Sequence, residues 1–117
     1  MEAKDLMIGD WVQVPSELNR YKRIRSTFDM DSAVLYRPIP LTTEILEMNG
    51  FRKDEKREEM YYLNWGIGNN CVSYDKETGI VRIFHVLGHL VFVLPLGYVH
   101  ELQHAFKLCG ITKEIEL

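Results

Sequence analysis

The sequence predicts an α+β fold: a small antiparallel sheet or partly closed barrel with helices packed against it. Three observations carry this. Short runs rich in Val, Ile, Tyr and Phe are separated by Gly, Asn and Asp clusters, the pattern of antiparallel strands joined by turns. Two other segments carry helix-capping residues where a helix would begin or end. The order is β-rich, helix, β-rich, helix, and 117 residues suffice for one core but not for two. A single domain is expected over residues 1–117. Residues 1–38 form its β-rich subregion, and 39–117 supply a helix, a β-meander and a C-terminal helix.

In chain order, "DLMIGDWVQV" offers a Gly-Asp turn running into a short strand through Trp11, Val12 and Val14. In "NRYKRIR", a strand places Arg20, Lys22 and Ile24 on one face and Tyr21, Arg23 and Arg25 on the other, because side chains alternate. "SAVLYRPIP" stays strand-like until Pro38 and Pro40, which cannot donate to a ladder. "LTTEILEMNGF" predicts a helix of about two turns. Thr42 or Thr43 caps it, Glu44 and Glu47 complement its dipole, and Ile45, Leu46 and Met48 give the apolar face. Asn49 closes the helix and Gly50 takes the left-handed position. "RKDEKREEM" alternates in sign without apolar period, as a solvated loop or helix extension does. "YYLNWG", "CVSYD" and "IVRIF", parted by "GNN" and "DKETG", form a meander, to which "LVFVLP" can add a strand. A last helix spans about Tyr98 to Cys109, with Gly110 as its C-cap.

Composition narrows the function classes. A net charge of −3 gives no global attraction to nucleic acid or anionic membranes, so such contacts need a local patch. "LVFVLPLG", the longest apolar stretch, is far shorter than a membrane span, and the opening "MEAKDLMIGDW" lacks the apolar core of a signal peptide. Cys71 and Cys109 are expected as reduced, buried thiols in a cytoplasm. Trp11, Tyr61, Tyr62, Trp65 and Tyr74 can make binding surfaces but are expected mainly in core and sheet packing, and "GIGNN" is a turn rather than a nucleotide loop.

Within "YVHELQHAF" lies H-E-L-Q-H, a full match to H-E-x-x-H. Histidines four apart on a helix can share one zinc ion, and the glutamate between them can deprotonate a metal-bound water. His100 and His104 would be the ligands and Glu101 the base of a minimal zinc hydrolase. A third ligand is wanting. Lys107 and Gly110 stand where a metzincin extension would continue, and only Glu114 and Glu116 are acidic downstream. His85 and His89 are four apart in a β-rich or turn region, and Lys107 would place an ammonium near the metal. The preferred reading takes no metal, cofactor or catalytic residue. Tyr98, Val99, Leu102, Ala105, Phe106 and Cys109 dock an amphipathic helix on the sheet. His100, Gln103, His104 and Lys107 then form its wetter side.

"RYKRIR" sets four cations around one aromatic. Arg20, Lys22, Arg23 and Arg25 could hold phosphate while Tyr21 stacks on a base. Such a strand also protects a sheet edge from aggregation.

The segments "DLMIGDWV", "PIPLTTEILEMNGF" and "YVHELQHAFKLCGI" together resemble a family of short proteins encoded by gut Bacteroidales genomes and their phages or mobile elements. The resemblance covers these three anchors and is loose between them. It implies a small cytoplasmic α+β protein and brings no activity, cofactor or site residue with it. The family's terminal helix often reads H-x-L-Q-N, so His104 departs from it. The opening segment is also similar to the first strand of SH3-like barrels, which bears on fold alone. The expected function is a non-enzymatic interaction module, with a protein or nucleic-acid partner and no membrane, in a phage or mobile-element setting. The alternatives are the zinc hydrolase and a small assembly protein that self-associates through its terminal helix or an exposed strand.

Overall fold

The computed structural model describes residues 5–15, 20–26, 29, 36–64, 70–85 and 89–117, with the backbone alone at His85. Trp65, Gly66 and Gly68 of "GIGNN", and the "SAVL" part of the third expected strand lie outside them.

The Gly-Asp turn and the first strand form as expected. Gly9 has φ +101, a left-handed conformation open to glycine, and Asp10 N–H donates to Met7 O at 3.1 Å. Strand β1 (Trp11–Val14) then pairs antiparallel with β2 (Arg20–Arg23), Trp11 opposite Arg23 and Val14 opposite Arg20. Opposed residues share a face, so Lys22 and Arg20 lie on the side of Val12 and Val14, and Tyr21 lies with Gln13 on the other. Leu6, Val12, Val14, Ile24 and Tyr36 make a small core beneath this ribbon. On the other side of β1, Gln13 exchanges backbone hydrogen bonds with Arg37.

Helix α1 (Thr43–Met48) starts where Thr42 Oγ1 accepts Ile45 N–H at 3.2 Å and ends at Asn49. Gly50, at φ +94, turns the chain out of it. The charged run after it is not wholly a loop. Strand β3 (Arg52–Lys53) pairs with β4 (Met60–Asn64), Arg52 opposite Tyr62 and Lys53 opposite Tyr61. Neighbour pairing overrides the weak local preference of Arg and Lys.

Strands β5 (Cys71–Asp75), β6 (Ile80–His85) and β7 (His89–Pro95) complete a five-stranded antiparallel sheet in sequence order, the expected meander. In the "DKETG" turn, Asp75 Oδ1 accepts the N–H groups of Glu77 and Thr78, and Gly79 takes φ +74. His85 and His89 are backbone partners in the β6–β7 register. The register puts Tyr61, Leu63, Val72, Tyr74, Val81 and Ile83 on one face, all buried. Helix α2 (Val99–Leu108) packs Val99, Leu102, Ala105 and Phe106 into the same core, which Ile45, Leu46, Ile111 and Ile115 also enter. Each Val, Leu, Ile or Phe side chain among them contributes about 1.5–3 kcal/mol by leaving water.

The fold is α+β, with a two-stranded and a five-stranded sheet that do not close into a barrel among the described residues. Backbone bonds tie residues 39–41 to 97–99, Val99 N–H to Ile39 O and Leu41 N–H to Gly97 O, both at 2.9 Å. Buried Asn49 clamps the tail. Its Nδ2 donates to Glu116 O at 2.9 Å, and its Oδ1 accepts Glu116 N–H at 2.7 Å. No helix among the described residues is long and apolar enough to cross a membrane.

Candidate functional site

Two places gather the chemistry that the sequence singles out. The first is the H-E-L-Q-H helix. Glu101 does not face outward as a base would. Its Oε1 accepts the N–H groups of Gly97 at 3.0 Å and Tyr98 at 3.1 Å, satisfying orphan donors ahead of the helix. The polar stripe expected on the wetter side is buried at His100 and Gln103 and half-buried at His104, with Lys107 exposed, because it receives the Gly9–Asp10 turn. Gln103 Oε1 accepts Trp11 N–H at 2.9 Å, and its Nε2 donates to Gly9 O at 2.8 Å. Lys107 Nζ donates to Ile8 O at 2.8 Å, one turn further on. His104 Nε2 lies 2.6 Å from Asp10 Oδ2, which also accepts Met7 N–H at 2.8 Å.

Asp10 is fully buried. His100, 8% exposed, sits between a stacked Tyr98 ring at 6.0 Å and the edge-on His104 ring at 5.6 Å. Burial holds its pKa below the ordinary histidine value, partly opposed by the Asp10 carboxylate. Asp10 Oδ1 and His100 Nδ1 are buried without a hydrogen-bond partner among the described residues. The cluster thus brings together His100, His104 and an aspartate that the motif does not contain. Among the described residues, no set of three or more His, Cys, Asp and Glu is arranged to hold a metal ion.

The second place is the β1–β2 ribbon. Trp11, Arg20, Tyr21, Lys22, Arg23, Arg25 and Asp29 line an open groove of about 520 Å³. The structure therefore brings all five residues of the basic-aromatic cluster to one site, but it uses them differently. Arg23 is built into the fold. Its guanidinium lies 5.8 Å from the Trp11 ring centroid, its Nε donates to Gly9 O at 3.0 Å, and its Nη1 meets Glu114 at 3.5 Å. Lys22 pairs with Asp29 at 3.1 Å and lies 6.0 Å from the Tyr36 ring centroid. The Arg25 backbone N–H, and next the Lys22 ammonium, hold the Asp29 carboxyl below its usual range. Tyr21, 47% exposed, and the exposed Arg20 and Arg25 remain at the surface of the groove.

Sequence reasoning missed Asp10 and Asp29 as members of these sites and assigned Trp11 to packing rather than to the groove. One signal bore on the cover that Asp10 helps provide. Of the four stripe residues on α2 only Lys107 carries a fixed charge, and the others are two histidines and a glutamine. Side chains that need carry no charge suit a buried polar seam. Nothing local marks Asp29, which reaches Lys22 from seven positions away.

Comparison with known proteins adds no relative: no family model, no curated protein and no solved structure matches the chain.

Proposed function

We propose that the protein is a non-enzymatic interaction module that holds single-stranded nucleic acid in the β1–β2 groove. One observation carries this reading: Tyr21 stands exposed in an open, basic groove that Arg20, Arg23 and Arg25 also line. Phosphates need cations at backbone spacing, and an unpaired base needs an aromatic face free to stack. Trp11 and Arg23, locked against each other, give the groove a rigid wall, so little side-chain order remains to be imposed on binding. The free thiols Cys71 and Cys109 support a cytoplasmic setting, and a phage or mobile-element context belongs to the same proposal.

Fluorescence anisotropy with labelled single-stranded DNA and RNA at several salt concentrations tests it. Two or three phosphate contacts give a log–log salt slope of about −1.5 to −2. Arg20→Gln with Arg25→Gln abolishes most of that slope. Tyr21→Ala weakens binding about tenfold with the slope unchanged, the loss of one stacked base. No retention of either strand at low salt eliminates the nucleic-acid reading, and a protein partner is then to be sought.

A further inference from the structure

Strand β7 ends the five-stranded sheet, and no other strand pairs with its outer edge among the described residues. Leu90, Val91, Val93 and Leu94 on it are 50%, 52%, 47% and 53% exposed. No charged residue stands between Leu90 and Pro95. The opposite edge is guarded, since β3 is two residues long and both are exposed cations, Arg52 and Lys53. Short, charged edges deter pairing, and long, apolar ones invite it.

The register shows what is incomplete at β7. Val81 and Ile83 on β6 are fully buried, and their partners Leu94 and Phe92 continue the same apolar layer outward. Phe92 still packs on the core, but Leu94 is half in water. On the other face Val93 lies opposite Arg82 and Leu90 opposite Phe84, so both faces of β7 are apolar. That is the composition of a strand covered on both faces, and the side chains of a strand added at the edge cover part of each.

We infer that a second copy of this chain docks there, its β7 antiparallel to the first about a two-fold axis, joining the two sheets. A two-fold contact meets its own surface, and this surface is self-complementary, with apolar residues on both faces and no like charge to repel. The area sets the strength. The four half-exposed aliphatic side chains offer roughly 300–400 Å² per copy, so even full burial reaches at most half of the ~800 Å² that stable complexes bury per partner. The irregularity at Ile83/Phe84, where β7 carries Val91 as an extra residue, and Pro95 also shorten the regular ladder. The dimer is therefore reversible, forming in the micromolar range or weaker. It is independent of the β1–β2 groove, so Tyr21→Ala leaves it intact.

Sedimentation velocity from about 5 to about 500 μM reads the equilibrium at a weak interface of this size. The expected result is a sedimentation coefficient that climbs with concentration toward the dimer. Val93→Lys keeps the chain monomeric, and mixing it with Val93→Glu restores dimers, which also shows that both variants fold. Val93→Thr, gentle on the strand, weakens association several-fold, and Met48→Lys on the exposed side of α1 leaves it unchanged. A monomer at every concentration overturns the inference, even if that monomer captures an extended apolar peptide. A dimer that survives Val93→Lys overturns it too, because its contact must then lie elsewhere.

Discussion

Replacing Asp10 tests whether the H-E-L-Q-H helix is a clasp for the Gly-Asp turn. Asp10→Ala removes the acceptor of Met7 N–H and the partner of His104 at once. A buried group deprived of its partner costs about 1–3 kcal/mol. Met7 is 42% exposed and His104 keeps a side chain 26% exposed, so both can recruit water and both shares fall at the low end. The loss at neutral pH is then about 2 kcal/mol, a fall of roughly 7–12 °C in melting temperature for a chain of this size. Asp10→Asn has the same shape. With its amide oxygen in the place of Oδ2 it still accepts Met7 N–H and a proton from His104 Nε2, losing only the charge, so the cost drops to about 1 kcal/mol. Urea denaturation followed by far-UV circular dichroism measures both. An Asp10→Ala loss below about 0.5 kcal/mol refutes the clasp, since that is the range of surface substitutions. An Asp10→Asn loss equal to that of alanine refutes the role given to its hydrogen bonds.

Three further outcomes are expected. Asn49→Ala breaks the side-chain bonds to Ile45 O, Glu116 O and Glu116 N–H inside the protein and costs about 3 kcal/mol in the same denaturation assay. Glu101→Ala uncaps α2 and costs about 1 kcal/mol, detectable as a lowered urea midpoint. For pH, burial lowers the folded pKa of His100, so between that value and the unfolded value of about 6.5 the unfolded chain binds more protons. Stability contributed by neutral, buried His100 is thus present at pH 7 and is lost as pH falls through about 6.5. His100→Phe keeps a ring beside Tyr98, so its urea midpoint declines less than wild type between about pH 7.5 and 5.5, and equal declines refute the assignment.

Elements whose causes are local were legible in the sequence. A helix cap is chemistry within three or four residues, so Thr42, Asn49, Gly50 and Gly110 announced the helix ends that the fold contains. The meander was legible for the same reason, since alternation and turn residues repeat along the chain itself. Strand β3 was not, because only pairing with Tyr61 and Tyr62 makes Arg52 and Lys53 extended. The wheel of α2 identified the apolar arc that meets the sheet, but a wheel cannot say what covers the opposite side. Its cover comes from Asp10 and Gly9, both 94 positions away from their partners on the helix. Likewise the alternation of "RYKRIR" assigned its two faces, while the capture of Arg23 by Trp11 and Gly9 depended on the fold.

The clasp and the groove meet at one atom. Gly9 O accepts Gln103 Nε2 from the helix and Arg23 Nε from β2, filling both of its lone pairs. Trp11, whose ring carries Arg23, is fixed by its N–H on Gln103 and by its indole Nε1 donating to Ile115 O at 2.8 Å. Gln103 of H-E-L-Q-H therefore holds the wall of the basic groove, and His104 holds the turn that leads into it. The same segments that resemble a zinc helix and a barrel strand are partners in one interlock, each supplying what the other lacks. The helix presents polar side chains that would be costly to bury alone, and the turn presents backbone groups that no sheet satisfies. Loosening α2 should accordingly be felt at Arg20, Tyr21 and Arg25 through Trp11 and Arg23, without any contact between the histidines and a ligand.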